Sequence, residues 1–210
     1  IELKLNLQMD AGRGQADERG KISSFESIEL KQLDFKLKAN EPIGNHIYIA
    51  DMSGKAATFF NYAATLKDFH ADAKKVLVFK TMTKEEVAEK LRASIVYAMQ
   101  RGCTLVVNLD TMVPQLKRDY DIPAILPLTD LICDSEKLRT DYKKIVTKEE
   151  DKDFQNNAGM YLLNKAFQLI FLSNMHDPDC DDEIIQMVLD EIPHIDKFQK
   201  MYILDPDREQ

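Results

Sequence analysis

From Pro42 onward, short apolar runs bounded by turn residues recur between segments of helical periodicity. That alternation leaves the chain very few architectures. HIYIAD (46–51) lies between Gly44 and Gly54, VLVFK covers 76–80, TLVVNLD covers 104–110, FQLIFLSN covers 167–174 and MYIL covers 201–204. TLVVNLD is apolar enough for burial on both faces, as in a central strand of a parallel sheet. Strands separated by helices need right-handed crossovers. The expected core is therefore a three-layer α/β domain over residues 41–210, with a mainly parallel five-stranded sheet.

The intervening segments carry helix signals. KAATFFNYAATLKDF (55–69) is apolar nearly all round and reads as a buried helix. Thr83 and Glu86 form a T-x-x-E capping box ahead of Val87, Leu91, Ile95 and Ala98, and Gly102 supplies the stop. Asp177 offers an N-cap with Pro178 at the first helical position, before the apolar face of Ile184, Ile185, Val188, Leu189 and Ile192. Residues 128–165 read as mostly helical, with charged loops around KEEDKD. The first 40 residues differ. Ile1, Leu3, Leu5, Leu7 and Met9 alternate as in a strand, and MDAGRGQADERGK (9–21) reads as a long connection. Ile28, Leu30, Leu33, Phe35 and Leu37 alternate again, although Phe25, Ile28 and Leu33 suit a helix over 25–35 equally. Residues 1–40 are expected to form a small β appendage or the end of a preceding domain.

Composition excludes several functions. Among 210 residues, 28 basic and 36 acidic side chains leave a net charge of −8, a field that repels nucleic-acid backbones. No apolar run approaches the roughly 18 residues of a membrane span. Cys103, Cys133 and Cys180 form no C-x-x-C pair, which points to a reducing, cytoplasmic setting. His46, His70, His176 and His194 show no i, i+4 pair of the kind a zinc site uses. The acids Asp177, Asp179, Asp181, Asp182 and Glu183 suit a helix N-terminus. Asp182 and Val188 stand where a calcium loop needs Gly and Glu.

Ligands of parallel sheets sit beyond the carboxyl ends of the strands. There the chain places Ser53, Gly54 and Lys55, then Asp110, then Ser173 and Asn174. A phosphate at Gly54–Lys55 would meet helix amides, the positive end of a helix dipole and an ammonium group. Asp110 could hold Mg²⁺ beside it. Each feature also has a plainer reading: a turn with a surface lysine, a capping aspartate, and turn chemistry after a strand.

Taken in order, Gly54–Lys55, the run Leu105–Asp110 and Ser173–Asn174 resemble the P-loop NTPases, in the branch with a strand inserted between Walker A and Walker B that includes AAA+ domains. The resemblance covers residues 42–204. It implies the strand order 5-1-4-3-2 and ATP or ADP with Mg²⁺. Ser53, Gly54, Lys55 and Asn174 would contact the nucleotide, and Asp110 the metal. The motifs are eroded, however. Ile49 stands where Walker A begins with Gly, Ala56 replaces the Mg²⁺-binding hydroxyl, and Thr111 follows Asp110 where hydrolysing members carry an acid. Loss of a water-polarising group costs about two to four decades of rate.

The expectation is thus a structural or interaction domain with vestigial nucleotide binding, and an active ATPase as the alternative. A nucleoside-type kinase ranks last, for want of an arginine-rich lid. A chain opening at Ile1 is expected to belong to a larger protein or assembly, of cytoskeletal or ciliary kind, with protein partners and neither nucleic acid nor membrane.

Overall fold

The computed structural model describes residues 25–41, 44–177 and 180–205; the alternating stretch 1–9 and Pro178 lie outside them. Its strands are β1 (Glu26–Ile28), β2 (Ile47–Asp51), β3 (Thr65–Asp68), β4 (Thr104–Asp110), β5 (Gln168–Asn174) and β6 (Gln199–Ile203). They form one all-parallel sheet in the order β1-β6-β2-β5-β4-β3. The sheet has six strands where five were expected. With β1 set aside, the remaining order is the anticipated 5-1-4-3-2.

Helices cover both faces. Helix α1 (Leu33–Asn40) and α2 (Ala56–Ala63) bring Leu33, Ala56 and Phe60 against Ile47, Ile49, Val106, Ile170, Leu172, Met201 and Ile203. On the other face, α3 (Phe69–Leu77), α4 (Lys84–Arg101), α5 (Ser135–Asp141) and α6 (Asp182–Glu191) pack against Tyr48, Ala50, Leu105, Val107, Leu169 and Phe171. Full burial of one such large apolar side chain contributes about 1.5–3 kcal/mol. No helix among the described residues is long and apolar enough to cross a membrane.

Several local expectations are corrected. The second strand is not 76–80. It is Thr65–Asp68, a polar edge strand inside the segment read as one helix, which therefore stops at Ala63. Val76 and Leu77 instead close α3, whose start is fixed by Asp68: its carboxylate accepts the Ala71 N–H at 2.9 Å. Asp72 in the first turn and Lys74 and Lys75 in the last complement the helix dipole, so local electrostatics override the strand-like run VLVFK. Helix α6 is capped by Asp181, which accepts from Glu183 and Ile184, and not by Asp177. Neither reading of 25–37 holds throughout: Glu26–Ile28 is a strand, while the α-helix starts only at Leu33 and runs to Asn40 in place of the helix expected over 25–35. The 128–165 segment is helical only in short turns up to Ile145 and irregular beyond. The capping box holds: Thr83 accepts from the Glu86 N–H, and Glu86 from the Thr83 N–H at 2.7 Å. Gly102 ends α4 at φ +69°, the left-handed conformation a C-terminal glycine supplies.

Candidate functional site at the carboxyl ends of the strands

Strand β2 ends in Asp51, and after four intervening residues the chain enters α2. The Asp51 side chain is buried, with the residue 2% exposed. One carboxylate oxygen accepts from the Ser53 N–H at 3.0 Å and from the Ser53 hydroxyl at 2.7 Å. The other accepts from the Ala56 N–H, the first amide of α2, at 2.7 Å. The Lys55 N–H donates to Ser53 Oγ at 3.2 Å, and the Lys55 side chain is exposed. Gly54 takes φ +67° under the ring of His176, where an added Cβ would lie 3.1 Å from Cγ. That close approach and the left-handed backbone together require glycine.

The second group forms at β4 and β5. The β4–β5 register shifts between Asn108 and Asp110, and Asp110 adopts φ +52°. Its N–H donates to Asn108 Oδ1 at 3.1 Å, a local bond of the kind that lets Asp occupy this region. The carboxylate lies 3.0 Å from His70 Nδ1 on α3, and Asn174 Nδ2 approaches its other oxygen at 3.5 Å. His176, beyond β5, reaches over Gly54, with its Nδ1 3.0 Å from the Met52 carbonyl and 3.6 Å from Asp205.

The five residues expected to contact nucleotide or metal, Ser53, Gly54, Lys55, Asp110 and Asn174, reach the carboxyl edge of the sheet. They remain in two sets on neighbouring strand ends, Asn174 of β5 lying in register with Asp51 of β2. Asp110 and Asn174 meet, while Ser53, Gly54 and Lys55 gather around Asp51. Sequence reasoning missed Asp51, His70 and His176. A strand-ending Asp two residues before Ser was a legible turn signal for the first. The histidines carried no signal, because only the tertiary fold sets His70 beside Asp110 and His176 over Gly54.

Chemically, the N-terminal amide of α2 already has an anion, supplied by the chain itself. The His70–Asp110 pair fixes an imidazole by its Nδ1 edge, an arrangement that orients a ring. Among the described residues, no cluster of three or more His, Cys, Asp or Glu is placed to hold a metal ion. No protein-family model matches this chain, and no match is found among curated proteins or solved structures.

Proposed function

We propose that this chain is an interaction domain on a P-loop NTPase-like frame, with a vestigial nucleotide site, working within a larger assembly. The observation that carries this reading is the Asp51 carboxylate at the start of α2. A helix N-terminus attracts phosphate through unpaired amides and its dipole. Here the Ser53 and Ala56 amides are spent on a buried carboxylate, so an incoming phosphate meets negative charge. Asp110 is similarly engaged by His70 and Asn174. The residues present therefore fit a magnesium–nucleotide complex poorly, and no catalytic step is derived through one.

Calorimetric titration with ATP and ADP, with and without Mg²⁺, tests the reading. We expect no saturable binding tighter than about 1 mM, that is, no more than about 4 kcal/mol of attraction. A dissociation constant in the low micromolar range, weakened at least about tenfold by Lys55→Ala, would restore the ATP-binding alternative.

A further inference from the structure

Leu77, Val78 and Phe79 close α3 with 53%, 66% and 64% of their surfaces exposed. Single exposed apolar residues are ordinary, but three bulky ones in succession at a helix end mark a contact surface. Lysines flank them. Lys75 pairs with Asp72, and Lys84 with Asp119. Lys74 and Lys80 are exposed and have no ion-pair partner among the described residues.

Three residues beyond Phe79 begins a shallow, open depression of about 530 Å³, lined by Met82, Glu85, Glu86, Glu89, Lys90 and Ile125. Met82 and Ile125 are its apolar lining residues, and three glutamates outnumber the one lysine around them. Glu86 also caps α4 and Glu89 pairs with Arg92, whereas Glu85, exposed in the first turn of α4, has no ion pair among the described residues.

We propose that this face is a self-association surface. Leu77, Val78 and Phe79 of one copy enter the Met82–Ile125 depression of a second copy, and Lys80 and Lys74 face its glutamates. The apolar residues and the depression are complementary in both charge and polarity. They also lie side by side, so a twofold axis between them satisfies both contacts at once. An anionic bilayer would meet the same glutamates beside the apolar residues, whereas a second copy offers those glutamates to Lys80 and Lys74, which favours a second copy over a lipid surface. This surface stands apart from the strand-end cleft and does not depend on whether nucleotide binds there.

Sedimentation equilibrium of the 210-residue chain from about 5 to 500 µM is the test. We expect a dimer with a dissociation constant on the order of 10–100 µM, as befits a small patch, and weaker at high salt. Lys80→Glu and Glu85→Lys should each weaken it at least about fivefold by setting like charges opposite one another. The double variant, or an equimolar mixture of the two single variants, should recover association. Such recovery cannot come from misfolded chains, and far-ultraviolet circular dichroism checks each variant independently. A parent that stays monomeric to 500 µM overturns the proposal and leaves the apolar residues to a different chain or to a bilayer. A dimer unchanged by either single substitution overturns it equally.

Discussion

Asp51 does the work of three capping groups at once, satisfying two amides and a hydroxyl while buried in the sheet edge. Leaving buried donors unpaired costs about 1–3 kcal/mol each. Asp51→Ala should therefore lower stability by about 2–4 kcal/mol, read from the urea midpoint at constant slope. If Asp51 instead only excludes phosphate, the variant would keep its stability and gain nucleotide affinity, an outcome calorimetry would detect. The position was legible as a turn-forming aspartate. Its capture of the helix amide was not, because the sequence pointed to Gly54 and Lys55 for that role. Whether a helix N-terminus receives a ligand or an internal carboxylate depends on where the strand stops.

Elements end where capping groups and electrostatics permit, and α3 illustrates this. Its last turn closes through the Thr81 N–H to the Lys75 carbonyl, and Lys80 is left-handed at φ 51°. Glycine is the residue that adopts this conformation without Cβ strain. Lys80→Gly is expected to raise stability by about 0.5–1 kcal/mol in thermal melts at low micromolar concentration, where self-association does not contribute. A loss of stability would mean the lysine side chain itself supports the turn. The same helix explains why one strand was misplaced. VLVFK is rich in strand-forming residues, whereas TLKD shows the charges of a sheet edge and little apolar periodicity. Capping signals at Thr83, Glu86 and Gly102 gave α4 accurately, because they are local. Central strands were equally readable, since burial on both faces leaves mainly apolar side chains. An edge strand exposes one rim and keeps no such mark.

Across the whole molecule, burial and ion pairing set the acid limit of stability. His46, at the entry to β2, donates Nε2–H to the Ile132 carbonyl at 2.8 Å and packs beside Phe198. Burial lowers its pKa from 6.5 to about 4. The unfolded chain therefore takes up this proton first as pH falls, and stability declines from pH 6.5 toward 4, by about 3 kcal/mol in all. Asp134, held below the usual carboxylate range by the Lys197 ammonium, adds a second loss further down, as pH falls through its folded value. Urea midpoints between pH 7.5 and 4.5 should show the first decline, and His46→Gln should flatten it. An equal slope in parent and variant would remove His46 as the cause. Strand β1 has a different consequence. It pairs parallel with β6, Glu26 opposite Met201 and Ile28 opposite Ile203. A tether pulling at Phe25 and at Asp205 would load that ladder along the strand axes. Its bonds would share the force as a shear lock and would not peel open singly, so the fold would resist tension best along the line from Phe25 to Asp205.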